Sequence, residues 1–198
     1  MQKKIAAAVA VAAMMTAGSV AAQTADSGVY VGLEGGIASI NAIATPTNGV
    51  KTSETNETGA LRALVGYQIN KNFALELGYF VTDDFKQDGT NVARTVRYNV
   101  KANVQGADLS VIYKFTEFVP GLYLKAGATQ SKVSLELSQP SGTSKFSTSG
   151  SGYLYGLGYE FSVTKNVGIN VGFTRLEKLG GQSENKMNLY SAGVKYKF

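Results

Sequence analysis

The chain has 198 residues, with 19 basic against 14 acidic side chains, and it contains no cysteine and no histidine. This mild charge does not suggest a nucleic-acid binder, whose basic residues would be denser and clustered. Without cysteine, disulfides and thiolate metal sites are excluded, and the missing histidine removes the commonest general base and metal ligand. We therefore expect no nucleic-acid partner, no metal and no cofactor.

Residues 1–22 are predicted to be a cleaved secretory signal peptide. Lys3 and Lys4 form a positive start, an apolar run follows to about Ala17, and residues 19–22 are small. The apolar run is short for the roughly 20 residues that span a bilayer, which argues against the alternative of a retained membrane helix. We place the cut near Ala22, so residues 23–198 form the mature domain.

The mature part alternates between apolar and polar residues with a period of two, and helical periodicity is nowhere sustained. One face of each segment is aliphatic or aromatic, whereas the other holds glycine, serine and charged residues. A soluble sandwich would carry bulky polar residues on its outer face, but a thin, glycine-rich polar face suits the inside of a narrow closed barrel. The predicted strands lie at residues 29–37, 61–69, 73–81, 108–115, 122–129, 153–161, 167–174 and 190–198.

The connections between these strands alternate in length, which is a second signal. Short turns with long outer loops are typical of barrels in the outer membrane of Gram-negative bacteria. The sequence therefore predicts an all-β, closed, antiparallel, up-and-down transmembrane β-barrel of about eight strands. The predicted short turns are residues 70–72, 116–121 and 162–166, and the predicted long polar loops are about residues 41–58, 82–106, 130–151 and 176–186.

Charged residues on the polar face are predicted to form layers across the lumen. Both signs occur at matched depths, and unpaired charges in so narrow a space would be costly. We hypothesise that these layers close the barrel to bulk flow, and the alternative is a water-lined path for small solutes. The upper layer is Glu34, Arg62 and Asp108, and the lower layer is Glu76, Lys125 and Lys195.

A row of basic residues in the second long loop is a candidate binding surface. Arg94, Arg97 and Lys101 alternate with apolar residues, as in a strand that continues above the membrane. The apolar residues occupy odd-numbered positions after Gly106 and even-numbered positions before it. Because a β-bulge would produce such a change, we predict one near Gly106. The row is suited to lipopolysaccharide phosphates or an acidic host surface. The alternative is a solvated strand edge that is protected by its charge.

Two sequence features carry a resemblance to a known superfamily. The strand–turn–strand segment at residues 66–79 (GYQINKNFALELGY), with a second copy of that style at 158–173, resembles the small eight-stranded OmpA-like outer-membrane barrels, a porin family. The chain end looks like the signal that the barrel-assembly machinery reads. That signal would comprise Tyr190, Val194, Tyr196 and Phe198. The predicted signal peptide implies export through the inner membrane, and the resemblance implies contact with outer-membrane lipid, lipopolysaccharide and that machinery.

Catalysis is not expected of this chain. The lipid A-modifying enzymes and the barrel protease of this membrane resemble one another in relying on a histidine, which this sequence lacks. We therefore predict a non-catalytic outer-membrane barrel that displays extracellular loops for surface interaction or for envelope integrity. The alternative is a narrow channel for small or amphipathic solutes. The sequence does not name a host or surface ligand.

Overall fold

A computed structural model describes residues 27–41, 49–91, 93 and 97–198, which are almost entirely β-strand. The predicted signal peptide and Arg94 lie outside the described residues. Within those ranges, no helix has the length and hydropathy of a membrane span. The strands are β1 (Gly28–Ile40), β2 (Gly49–Thr55), β3 (Glu57–Gln68), β4 (Phe73–Thr82), β5 (Phe85–Asn91), β6 (Arg97–Lys114), β7 (Leu122–Gln139), β8 (Gly142–Ser162), β9 (Val167–Glu177) and β10 (Lys186–Lys197).

Eight of these strands close into an antiparallel barrel. Their order is β1-β3-β4-β6-β7-β8-β9-β10, and β10 pairs with β1 from Tyr30 opposite Lys197 to Ile40 opposite Met187. The two remaining strands, β2 and β5, continue β3 and β4 beyond short breaks and pair with each other. Every pairing is antiparallel, and each barrel strand pairs with the barrel strands that precede and follow it in the chain, with β10 closing on β1. The predicted up-and-down barrel of eight strands is confirmed.

The outward face of the barrel carries an apolar band. Leu77, Leu109 and Leu157 are each at least half exposed, although they lie in the middle of paired strands. A band of this kind matches the lipid-facing surface of an outer-membrane barrel. Aromatic rings gather at the short-turn end of the band, where amphipathic rings mark the membrane interface. The ring pairs there are Phe73–Tyr113, Tyr113–Phe115, Tyr159–Phe161 and Tyr196–Phe198, with centroids 4.6–5.2 Å apart.

One side of the barrel rises well above the membrane. Strands β6 and β7 have 18 residues each and β8 has 21, whereas β9 has 11. A tilted membrane strand needs about 9–11 residues, so the long strands continue outside the bilayer. They join β5 and β2 in a raised sheet of order β2-β5-β6-β7-β8. The predicted long connections at 82–106 and 130–151 are therefore mostly paired strand and not irregular loop, which agrees with the strand predicted to continue above the membrane around Arg97 and Lys101.

The prediction of a bulge near Gly106 is wrong. The register between β6 and β7 is constant from Asn99 opposite Ser138 down to Lys114 opposite Tyr123. Even-numbered side chains of β6 point inward both above and below Gly106, so side-chain direction does not change there. What changes at Gly106 is the environment that each face of the strand meets. Above that level the inward residues of β6 are apolar and the outward residues are polar, as in a water-soluble sheet. The change marks the upper boundary of the membrane.

The inner face of the raised sheet forms an apolar cap over the lumen. The 3-10 turn Leu179–Gly181 closes this cap, with Leu179 buried against the sheet. Gly180 donates its N–H to Ser131 Oγ (2.9 Å) and accepts a hydrogen bond from Thr148 Oγ1 (3.2 Å). The buried members of the cap are Ala38, Phe80, Phe85, Tyr98, Val100, Ala102, Val104, Leu154, Leu176, Leu179, Met187 and Leu189.

Candidate functional site in the barrel lumen

Arg62 lies at the centre of the lumen and contacts three carboxylates. Its Nε and Nη2 donate to the two oxygens of Asp108 at 2.9 and 2.7 Å, which is a bidentate pair. Its Nη1 donates to Glu34 at 3.1 Å, and Glu76 lies 3.4 Å away. Gly78 makes room for the guanidinium, because a Cβ there would lie 2.5 Å from Arg62 Nε. The upper predicted layer therefore forms a direct contact and is joined to the lower one.

Glu76 is the centre of the lower layer. Its Oε1 accepts from Lys195 Nζ at 2.7 Å and from the Tyr30 hydroxyl at 3.0 Å, and its Oε2 lies 3.6 Å from Lys125 Nζ. The Lys195 ammonium also stands 5.3 and 5.5 Å from the ring centroids of Tyr30 and Tyr123, within the range of cation–π attraction. Lys195 is thus held by a carboxylate and by two aromatic faces.

Sequence reasoning did not include three further members of the network. Glu160 lies 3.5 Å from Lys195 and 3.0 Å from Lys114, which extends the ion pairs towards the short-turn end. Asn170 Nδ2 donates to Glu34 Oε1 at 2.8 Å. The alternation places Lys114 and Glu160 on the polar face, which is the signal that could have identified them. Their depth depends on the inter-strand register, which the sequence does not provide.

The connected network is electrically balanced. Four carboxylates meet four cations within it; six of these ions are buried, and Lys114 and Glu160 at the short-turn end are half-buried. Removal of one partner from such a group would leave an uncompensated buried charge, which is strongly unfavourable. The members are Glu34, Glu76, Asp108 and Glu160 with Arg62, Lys114, Lys125 and Lys195.

Small residues on the inner face give these long side chains their space. A Cβ on Gly66 would lie 2.2 Å from the Tyr30 ring, and a Cβ on Gly158 would lie 2.3 Å from the Tyr123 hydroxyl. Both distances are far inside van der Waals contact. The glycine-rich inner face is therefore filled by side chains from neighbouring strands, so its glycines do not open a pore at these levels.

The predicted basic row lies on the outer face of the raised sheet. Arg97 is exposed and Lys101 is half-buried, and both point outward from β6. Lys101 stands opposite Lys86 on one neighbouring strand and Glu136 on the other. Glu136 accepts a hydrogen bond from Lys145 (2.8 Å), which raises the pKa of the Lys145 ammonium. Arg94 lies outside the described residues, so the structure places two of the three predicted members.

The four residues of the predicted assembly signal share the outward face of β10 and its end. Tyr190, Val194, Tyr196 and Phe198 are each about half exposed towards the lipid. Phe198 donates its backbone N–H to Val29 O (3.0 Å), which ties the strand end to β1. Recognition of this face by the assembly machinery stays a prediction.

Comparisons with known proteins agree with this geometry. A family model described as "Outer membrane protein beta-barrel domain" matches residues 7–198. Two structures of Ail, the attachment invasion locus protein of Yersinia pestis, are 11% identical and have TM-scores of 0.55 and 0.53, the second in complex with the heparin analogue sucrose octasulfate. Each alignment covers 87% of this chain and 98% of Ail.

Neisserial surface protein A is 21% identical with a TM-score of 0.46, over 86% of this chain and 97% of that protein. No curated protein sequence matches the chain. Structural similarity at such identities shows the fold alone, whereas the family model covers nearly the whole chain. The chain belongs to the outer membrane protein β-barrel domain family, and its place is the Gram-negative outer membrane.

Proposed function

We propose that this protein is a non-catalytic scaffold with a closed lumen, whose raised extracellular sheet is its functional surface. The observation that carries the proposal is the balanced ion-pair network across the lumen, with an apolar cap directly above it. An ion crossing the barrel would have to separate the pairs around Arg62 and then enter an apolar region. Both steps are costly, because charge is poorly stabilised away from water.

The alternative of a narrow channel has an observation in its favour as well. Cavities open at both ends of the lumen, one of about 320 Å³ at the short-turn end and one of about 110 Å³ at the cap. A conducting path would have to join them through the network. The pairs of Arg62 with Asp108 and of Lys195 with Glu76 lie between the two cavities, and both pairs are at 2.7 Å.

The raised sheet is suited to contact with anionic surfaces. Lys86 and Lys101 face outward directly opposite each other, with their Cβ atoms about 4.5–5.5 Å apart, and like charges in such opposed positions are unfavourable. An anion between them would relieve this repulsion. Lys132 extends the basic surface one strand further, on β7. Lipopolysaccharide phosphates beside the barrel and acidic polymers on a host surface both carry such groups.

The surface role can be tested in cells that carry the wild type, no protein, or a variant with a shortened β7–β8 hairpin. In that variant an Asn-Gly turn replaces residues 132–149, because Ser131 and Gly150 are already paired opposite each other. The readouts are binding to a heparin-coated surface, survival in detergent and uptake of arabinose. We expect the shortened variant to lose binding and to keep the survival of the wild type.

A second variant guards against loss of the apolar cap in the shortened chain. Lys86→Gln, Lys101→Gln and Lys132→Gln change only the outer face, so the inner packing stays intact. Reduced heparin binding by this triple variant would support the surface role. Equal binding by all strains would refute it, and arabinose uptake that depends on the protein would favour the channel.

A further inference from the structure

The short-turn end of the lumen opens into a cavity of about 320 Å³, below the ion-pair network. This size lies at the lower end of the range for small-ligand sites. We propose that this cavity, the periplasmic vestibule, binds a phosphate-bearing anion. The inference does not depend on whether the lumen conducts, because the vestibule opens to the periplasm in either case. Its charged lining consists of Lys71, Lys114, Lys165, Lys195, Lys197 and Glu160.

Positive charge in the vestibule exceeds negative charge after all observed ion pairs are counted. Lys195 pairs with Glu76, Lys114 with Glu160, and Lys71 with Glu117 at 3.7 Å. Five ammonium groups therefore face three carboxylates, which leaves two positive charges. Within the part of the chain that the structure describes, these belong to Lys165 and Lys197, which form no ion pair there. A concave surface of one sign concentrates counter-ions of the opposite sign.

The turn that carries Lys165 is held in a fixed conformation. Thr164 Oγ1 accepts hydrogen bonds from the backbone N–H groups of Asn166 (3.2 Å) and Val167 (3.0 Å). Asn166 Nδ2 donates to the carbonyl oxygen of Lys197 (2.8 Å), and Lys197 N–H donates to the carbonyl oxygen of Asn166 (2.7 Å). These bonds fix the β8–β9 turn against the end of β10, so the two uncompensated lysines are carried by one rigid unit.

The five lysines and the Thr164 hydroxyl make the lining rich in donors, which favours an anion of the phosphate type; its acceptors are the side-chain oxygens of Gln68, Ser162, Asn166 and Glu160. The Thr164 hydroxyl already accepts two hydrogen bonds, so its own proton is available to donate. The carboxylate of Glu160 is engaged by Lys114 and lies 3.5 Å from Lys195. A phosphate group has only acceptor oxygens when it is fully ionised, and lysine binds it well as a point charge. A cation would meet the excess positive charge and be repelled.

Two sources could supply the phosphate, a soluble ester in the periplasm or the headgroup of an inner-leaflet lipid. The test uses the full mature chain in nanodiscs, titrated calorimetrically with inorganic pyrophosphate at low salt. One set of discs contains only phosphatidylcholine, and the other also contains phosphatidylglycerol. The variant is Lys165→Gln/Lys197→Gln, and the matched control is Lys145→Gln/Lys178→Gln, which removes two exposed charges on the extracellular side and none from the basic surface of Lys86, Lys101 and Lys132.

We expect saturable binding of pyrophosphate to the wild type in phosphatidylcholine discs. The vestibule variant should bind about tenfold or more weakly, since it loses two charge-assisted contacts, and the control should bind as the wild type does. Weaker binding in phosphatidylglycerol discs would identify the lipid headgroup as the competitor, and unchanged binding would identify a soluble anion. Absence of saturable binding, or an equal loss in the control, would overturn the proposal.

Discussion

Replacement of Arg62 by methionine removes the cation that links the two charge layers of the lumen. Glu34 would keep its bond from Asn170, and Glu76 would keep Lys125 and Lys195. Asp108 has its ion pair with Arg62 and would be left as a buried charge without a cation. Because the change breaks three buried ion pairs and leaves Asp108 and Glu34 without theirs, we expect the free energy of unfolding to fall by at least about 3–5 kcal/mol.

The assay is equilibrium unfolding by urea in lipid vesicles, read from the folded and unfolded bands on an unheated gel. A gel readout is needed because the chain contains no tryptophan. The matched control is Arg97→Met, which removes an arginine from the exposed outer face of β6 and should change stability by less than about 0.5 kcal/mol. The difference between the two variants isolates the effect of burial.

A double-mutant cycle with Asp108→Asn tests whether the loss comes from the stranded carboxylate. In the Arg62→Met background, the second change should recover part of the stability, with a coupling free energy of at least about 1 kcal/mol. Two results would contradict this account of the network. One is a free energy of unfolding for Arg62→Met within about 0.5 kcal/mol of the wild-type value. The other is strict additivity of the effects of Arg62→Met and Asp108→Asn on that free energy.

Three further predictions follow from individual contacts. Gly78→Val should lower stability by about 1–3 kcal/mol in the same gel assay, because its side chain would meet the Arg62 guanidinium; an unchanged midpoint would show that the guanidinium lies elsewhere. Leu179→Ala should weaken the cap by about 2–5 kcal/mol, seen as faster amide exchange in residues 178–185, whereas unchanged exchange would mean that Leu179 is not packed. Phe198→Ser should slow barrel assembly in cells but not refolding in vesicles, and equal slowing in both would remove the case for a recognition signal.

The membrane-spanning part of the fold could be predicted because alternation has a fixed period of two. Once Leu77 is assigned to the lipid side, Glu76 and Gly78 must face the lumen. The mixed signs of the inward charges then indicate pairing. The partners within the layers could be estimated from strand depth, but the contacts of Glu160 and Lys114 required the register and stagger of the barrel.

The extracellular part could not be predicted in the same way, for a physical reason. Above Gly106, β6 leaves the lipid and its outer face meets water. Apolar side chains therefore lie on the inner face there, and polar side chains lie on the outer face. In a sequence, a change of environment and a change of side-chain direction both appear as apolar residues that move from odd- to even-numbered positions. The sequence alone therefore does not distinguish the two. The buried Leu179, which sits in a turn between two strands, has no periodic signal at all.

Ionic conductance across planar bilayers tests the central claim, a lumen closed by the Arg62 network, most directly. The mature chain should be silent, whereas Arg62→Ala combined with Leu179→Ala, which removes the guanidinium between Asp108 and Glu34 and loosens the apolar cap above it, should show ion flow. Arg97→Ala, on the outer face, should be as silent as the wild type. Steady conductance from the wild type would contradict the closed lumen and make transport the leading function.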